Sequence, residues 1–510
     1  MILKSQCVLP TSFKRFFPSP DDTYYIESFS AGKFFSDIER KRLEDKYLDL
    51  VRVPEILNRK SASYQGSKKD PLHSLIRYKE AFSSSLVEFL INVCGLYKGQ
   101  TILDPFAGSC TTAITAREHG INSISFDIMP FSKIILNAKK YFSEFDLTEL
   151  ESLRGYVAEL HRPKEYKKSV QEITITKGAY PGETGKDIVF LSEAVKNAAF
   201  SSAAKNLAEL CILKCLETVS YTSKDGQYLR WDKRSKKVIE ANARRAERGR
   251  APYSTILDKG VLPSIQEAFD LNFREIIENI RLLKTRPVAE SSQADTAFVQ
   301  ESALTGLPLL ATESINGVIT SPPYCNRYDY TRTYALELAY LGLGESEIRK
   351  KRQELLSCTV ENKSKIQFLK EYYNSLNRGA DFDFVVKIMD NCPALNEIIF
   401  SLEARGRNGE INNSGIISMV KGYFQELAFI FYELFRTCMK GSRVAFVNDN
   451  VRYAGEIIPV DFLSTTIAES IGFKPLRVLV LKQQKGNSSQ QMKRFGRAAL
   501  RKSITVWEKP

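Results

Sequence analysis

"TILDPFAGSCTT", residues 101–112, decides the fold. Thr101 to Leu103 is a short apolar run that reads as a buried strand. It ends in Asp104 and a loop of small residues, Phe106 to Cys110, and helical spacing begins at about Thr111. Small residues at such a bend let the backbone approach a ligand closely. Downstream, "INSISFDIMPFSKIILNAKKYF" gives a second strand ending at Asp127, a proline break and another helix. Strand, tight loop, helix, strand, acid is the first half of a Rossmann-like sheet. Asp127 lies 19 residues beyond Gly108, the spacing of an acid at a second strand's tip that grips ribose hydroxyls. A dinucleotide site calls for GxGxxG, which this loop lacks, so a ligand without a pyrophosphate fits better. Asp104 is placed to accept a hydrogen bond from a cationic amine.

Working outward, Leu86, Phe89, Leu90 and Val93 recur at helical spacing, with Ser83 or Ser84 as the cap. Beyond residue 145 the alternation stops, and Ala-rich stretches such as "SEAVKNAAFSSAAKNLAELCILKCLETV" read as helix. The buried-strand pattern resumes with "INGVITSPPY", residues 315–324. Proline cannot donate a ladder hydrogen bond, so a strand ending in two prolines hands over to a stiff loop. Near the end, "MVKGYFQELAFIFYELFRTCMKGS" reads as an amphipathic helix stopped by Gly441, and "RVAFVNDN" as a strand. "LRVLVLKQQ" and "KSITVWEK" read as an antiparallel hairpin at the sheet edge, joined by a basic loop, Lys485 to Arg497.

The expected fold class is α/β: a Rossmann-like sheet with helices on both faces and a C-terminal antiparallel hairpin, plus a largely helical insert. The expected organisation is an N-terminal extension over 1–72, the first half of the sheet domain over 73–145 and an insert over 146–290. The proline loop's half follows over 291–344, a helical insert over 345–418, and the last part of the sheet domain over 419–510.

The chain has 510 residues, 43% of them hydrophobic, enough for a large core. It has no run of about 18 apolar residues, so no membrane span is expected. The start lacks a basic-then-apolar leader. Nine cysteines show no CxxC spacing and three histidines form no ligand cluster, so no metal site is expected and a reduced, cytoplasmic enzyme is the default. The formal charge of +13 favours polyanionic partners. Between Tyr221 and Gly260 lie 11 Lys/Arg against 5 Asp/Glu. There Arg230, Lys233 and Arg234 are interleaved with the aromatics Tyr228 and Trp231, the best candidate surface for nucleic acid, with a solvated charged helix as its competitor.

"DPFAGSCTT" resembles the AdoMet-binding motif of amino-methylating DNA methyltransferases, commonly DPFxGSGTT; Cys110 stands where glycine is commonest. "FDIMPFSK" is similar to that family's second motif, "TSPPY" to its catalytic motif, and "HSLIRYKEAFSSSLVEFLI" to the motif that closes over the methionine end of AdoMet. The resemblance covers about half the chain and implies a class I AdoMet methyltransferase sheet. It implies that Asp104 and the loop Pro105, Phe106, Ala107, Gly108 and Ser109 face the methionine part of S-adenosyl-L-methionine, that Asp127 holds the ribose, and that Tyr78 and Ser83 belong to the closing motif. For the acid near the adenine, Asp295 and Glu301 compete, with Glu301 favoured by its spacing to Ser321. The family's order places target recognition in the insert.

The chemistry of the proline loop follows from its residues. An exocyclic amino group on a nucleobase is a poor nucleophile because its lone pair is delocalised into the ring. Two acceptors on its N–H bonds free that lone pair. Ser321 offers a side-chain oxygen, and Pro322 a carbonyl that Pro323 holds rigid with no competing N–H. Tyr324 offers a stacking face, worth roughly 1–3 kcal/mol per base. Cys325 follows the tyrosine rather than a single proline, so it is not read as a nucleophile. Arg327 is a candidate DNA contact. In the family a serine at the head of this loop is commoner in cytosine-N4 enzymes, and Asp or Asn in adenine-N6 enzymes. The resemblance implies a site-specific enzyme on double-stranded DNA, of restriction-modification or defence, with cognate restriction or defence proteins as partners. Cytosine N4 is the expected target; an adenine-N6 DNA methyltransferase, then an RNA base methyltransferase, then a non-catalytic nucleic-acid-binding protein are the competing readings.

Overall fold

The computed structural model describes residues 25–32, 35–58, 60–78, 80–142, 144–225, 228–253, 257–285, 294–481, 492–496, 498 and 500–510. Among the described residues eight strands form the central sheet: β1 (Val51–Arg52), β2 (Thr101–Asp104), β3 (Asn122–Phe126), β4 (Thr296–Val299), β5 (Ile315–Thr320), β6 (Cys438–Asp449), β7 (Lys474–Val480) and β8 (Lys502–Glu508). Their order is β1-β7-β8-β6-β5-β2-β3-β4. Every pairing is parallel except those of β8, which runs against both β7 and β6. From β2 the chain builds outward through β3 and β4, then returns to lay β5 on the other side of β2. The strand order therefore reverses between β2 and β5, and ligands of open α/β sheets bind at the carboxyl ends of such strands.

Both sheet faces are covered, which is why the strands read as continuous apolar runs. Ile102 and Leu103 are adjacent and both fully buried. Ile102 joins a cluster with Leu86 and Leu90 of the helix Ser84–Cys94, and Leu103 one with Phe424 and Leu427 of the helix Gly415–Thr437. That long helix ends at Thr437 rather than near Gly441. Cys438 is claimed by the sheet, pairing in register with Ile315 of β5, so tertiary pairing overrides the glycine stop. The final hairpin forms, but not at the edge. β8 lies between β7 and β6 with Ser503 to Trp507 all buried, and β1 flanks β7 on the outside. Most of the loop expected between its strands lies outside the described residues.

In the insert, the helices Leu147–Ala158, Ser202–Thr218 and Ile265–Lys284 share one apolar cluster with the helix Pro130–Lys140, which follows β3. The N-terminal helix Ile38–Tyr47 is tied to the end of the chain by buried charge. Arg501 contacts Asp461 at 2.8 Å and Glu44 at 2.9 Å. No helix among the described residues is long and apolar enough to cross a membrane, and no cluster of metal-ligating side chains occurs among them.

Candidate active site

A cavity of about 300 Å³ opens at the carboxyl ends of β2, β3, β4 and β5, at the small end of the size range of small-molecule sites. Its wall holds Tyr78, Pro105 to Ser109, Asp127, Glu301 and all four of Ser321, Pro322, Pro323 and Tyr324. The AdoMet-like loop and the proline loop, about 210 residues apart in sequence, thus face one space.

The loop after β2 is held from several sides. Gly108 has φ +51°, and a β-carbon there would meet the Tyr78 ring at 3.2 Å, so both the conformation and the close approach require glycine. Its N–H donates to Asp127 Oδ2 at 2.7 Å, while the Met129 N–H donates to Oδ1 at 2.8 Å. Burial pushes the Asp127 carboxyl up to about 6 despite those two donors. Cys110 also has a left-handed φ, +59°, rare for a residue with a β-carbon. Its fully buried thiol lies 3.4 Å from the Ser132 carbonyl and is not part of the cavity wall, so its side chain is housed among the helices behind the loop. Lys139, buried on the helix Pro130–Lys140, donates to the Ser109 carbonyl at 3.2 Å, and burial lowers its ammonium to about 8.

Asp104 and Ser83 sit behind the wall rather than in it. Asp104 is 3% exposed, and its Oδ1 accepts from Thr320 Oγ1 at 2.7 Å and from the Phe106 N–H at 3.1 Å. Burial pushes its carboxyl up to about 6. Ser83 caps the helix Ser84–Cys94, accepting from the Leu86 N–H and donating to the Ser61 carbonyl at 2.8 Å. Glu301 follows the carboxyl end of β4 and lines the cavity. Asp295 precedes that strand's amino end, so only Glu301 is near the site.

In the proline loop, Ser321 Oγ donates to Tyr324 Oη at 3.1 Å. Tyr453 Oη donates to the Cys325 carbonyl at 2.7 Å and pins the loop from below. Cys325 is fully buried, outside the cavity wall, and burial pushes its thiol far above the range in which a thiolate forms. Two groups that sequence reasoning passes over complete this end. Lys502, at the start of β8, has Nζ 5.2 Å from the Tyr324 ring centroid and 3.5 Å from Asp449 Oδ1, at the end of β6. They are register partners across two antiparallel strands. Only that topology brings them to the loop; no local motif marks them.

The nucleic-acid candidates occupy a hairpin, Thr222–Asp225 with Tyr228–Trp231, and the turn after it. Arg230 pairs with Asp225, and Lys233 with Asp258 at 2.6 Å; both pairs are exposed. Arg234 is committed inward. It contacts the fully buried Asp232 through Nε at 2.8 Å and Nη2 at 3.0 Å, holding that carboxyl well below the usual range. Trp231 packs against the insert's core, with Lys237 Nζ 4.6 Å from its ring centroid. Arg327 has φ +66° and reaches Asn412 Oδ1 at 3.4 Å. The helix that follows the hairpin, Lys236–Glu247, lies in the same basic segment and has no buried residue.

A model of the N6/N4 DNA methylase family matches residues 21–137. Over 492 residues the chain is 52% identical to the type II methyltransferase M.BsoBI of Geobacillus stearothermophilus, covering 96% of each chain. It is 39% identical over 487 residues to the type II methyltransferase M.AvaI of Nostoc sp. (strain PCC 7120 / SAG 25.82 / UTEX 2576), covering 94% of this chain and 95% of that one. A shorter likeness, 31% over 152 residues, joins it to the type II methyltransferase M.MjaII of Methanocaldococcus jannaschii, covering 28% of this chain and 26% of that one. The chain belongs to the amino-methylating DNA methyltransferases of the N6/N4 family. Enzymes of this family use S-adenosyl-L-methionine. The cavity fits that cofactor's charge: Glu80, Asp127, Glu301, Glu354 and Asp449 line it against one cation, Lys502, among the described residues. A sulfonium and an ammonium suit such a wall.

Proposed function

We propose that this enzyme methylates the N4 amino group of a cytosine in double-stranded DNA. The observation that carries the reading is the single cavity shared by the loop after β2 and the Ser321 to Tyr324 loop. AdoMet supplies the electrophilic methyl group. Asp127 and Glu301 bind its adenosine part, and Tyr78 with Pro105 to Ser109 encloses its methionine part. Asp104 and Ser83 hold that wall from behind. The target base leaves the duplex to enter and stacks on Tyr324. Ser321 Oγ and the Pro322 carbonyl accept from its amino N–H bonds, which localises the nitrogen lone pair for in-line attack. The serine at the head of the loop supports cytosine over adenine.

The insert and the exposed helix after its hairpin supply DNA contact. Residues 236–250 carry six cations, Lys236, Lys237, Arg244, Arg245, Arg248 and Arg250, against Glu240 and Glu247. Arg230 and Lys233 precede that helix and extend its surface, while Trp231 and Arg234 support it; Tyr228 belongs to the same segment of the chain. Arg327, next to the proline loop, contacts the DNA beside the target base. We place the enzyme in the cytoplasm, with a restriction endonuclease or defence protein reading the same sequence as its cognate partner. The test is methylation of mixed-sequence duplex DNA with labelled AdoMet, the product nucleoside being identified by mass spectrometry. N4-methylcytosine is expected. N6-methyladenine as the product would reject cytosine, and transfer to RNA alone would reject DNA.

A further inference from the structure

We propose that Lys502 selects the target base, its ammonium donating to the O2 acceptor of cytosine, on the edge whose amino group is held at Ser321. This rests on the cytosine-N4 reading above. The observations are the residue's place, its isolation and its partners. Lys502 lines the cavity at the proline-loop end, its side chain 16% exposed. Against five carboxylates it is the one cation on that wall among the described residues. Its contact with Asp449, 3.5 Å, is looser than that of another largely buried lysine, Lys365, which meets Glu426 at 2.8 Å. An ammonium carries three donors and no acceptor. Its contacts are Asp449 Oδ1 at 3.5 Å and the Tyr324 ring, 5.2 Å to the centroid, which leaves a donor for a base.

The chemistry of the two bases makes the placement selective. On cytosine, N3 and O2 follow the amino group along one ring edge, and both accept. On adenine, N1 follows, and then a C–H. A base stacked on Tyr324 with its amino group at Ser321 presents that edge near the ammonium that Tyr324 itself carries. The charge meets the O2 carbonyl rather than the amino nitrogen, and Asp449 balances it. A site built to donate a hydrogen bond penalises the base that lacks the acceptor.

The test uses the full-length wild type, Lys502→Met and Lys502→Arg on duplex DNA with labelled AdoMet. N4-methylcytosine and N6-methyladenine are counted by mass spectrometry, AdoMet affinity is measured by calorimetry, and stability by thermal melting. For Lys502→Met, N4-methylcytosine formation is expected to fall about ten- to a hundredfold, with a lower ratio of N4-methylcytosine to N6-methyladenine. AdoMet affinity and melting temperature should stay near wild type, and Lys502→Arg should recover much of both rate and ratio. Wild-type rate and ratio in Lys502→Met would overturn the inference. So would parallel loss of rate and AdoMet binding that arginine fails to rescue, since that marks a structural role. A wild-type product of N6-methyladenine would overturn both the cytosine reading and this inference. That result comes from the wild type alone and so is distinct from a failure of Lys502.

Discussion

Thr320 Oγ1 lies 2.7 Å from Asp104 Oδ1, and both side chains are buried between β2 and β5. Thr320 is the last residue before the proline loop, and Asp104 the last before the Pro105 to Cys110 loop. The hydrogen bond therefore ties the two halves of the site at the point where the strand order reverses. Thr320→Val keeps the shape and removes the donor. It is expected to cost about 1–3 kcal/mol, because a buried carboxylate oxygen loses a partner, and to lower turnover more than AdoMet affinity. Urea unfolding and steady-state kinetics would show both; an unchanged unfolding midpoint would remove the structural role assigned to this pair.

Asp104 also carries a pH signature. Its carboxyl is pushed up to about 6 by burial, above the ordinary 3.8. The native state therefore holds this proton more tightly than the unfolded chain does. The associated stability is full below about pH 4 and is lost as the pH rises through 6, at a cost on the order of 3 kcal/mol at neutral pH. Asp104→Asn keeps an acceptor for Thr320 without the charge. Its melting temperature is expected to exceed wild type at pH 8, with the difference shrinking toward pH 5. A difference that does not change with pH would contradict the shift.

Much of this is legible in the sequence for a physical reason. The strands at the strand-order reversal are buried on both faces, so "TILD" and "GVIT" stand out as short apolar runs closed by loops of special composition. The same loops carry Gly108 and Ser321, and Asp127 closes the neighbouring strand β3, so site and fold are read from one signal. Lys502 and Asp449 give no such signal, since their contact depends on β8 entering the sheet antiparallel beside β6. The edge position expected for the last hairpin fails likewise. A two-residue strand, β1, is too short to read, yet it covers β7. Arg234 groups with surface cations in the sequence because composition does not show that Asp232, two residues before it, is buried.

Gly108→Ala tests the cofactor wall. The left-handed backbone costs a non-glycine residue roughly 1–2 kcal/mol, and the new methyl meets Tyr78 at 3.2 Å. Stability is expected to fall by about that amount, and AdoMet affinity about tenfold or more, as the ring or the loop shifts. Calorimetric titration with AdoMet measures it. Affinity equal to wild type would show that the loop does not approach the cofactor as closely as the cavity implies.

Ser321→Ala removes one of the two acceptors proposed for the target amino group, and Tyr324→Ala removes the stacking face. Each is expected to lower turnover by about a hundredfold, in the range seen when one transition-state hydrogen bond is deleted, while AdoMet still binds. Tyr324→Phe should retain more activity than Tyr324→Ala, because stacking survives. Single-turnover methylation with calorimetry in parallel separates these effects, and wild-type rates in Ser321→Ala would exclude its hydroxyl from the reaction.

The helix Lys236–Glu247 gives the sharpest separation between binding and stability. None of its residues is buried, and Arg248 and Arg250 just beyond its end are exposed, so replacing Lys236, Arg244, Arg248 and Arg250 by alanine should leave the melting temperature nearly unchanged. If these cations meet phosphates, DNA affinity at low salt falls. The slope of log affinity against log salt flattens by about 0.9 for each phosphate that is no longer neutralised. Arg234→Ala should do the reverse. It strips the buried Asp232 of its guanidinium partner, at about 1–3 kcal/mol of stability, with a smaller effect on the salt slope. Fluorescence anisotropy with duplex DNA across a salt series, alongside thermal melts, distinguishes the two. An unchanged slope in the quadruple variant would mean that this helix is a solvated surface and that DNA is held elsewhere on the insert.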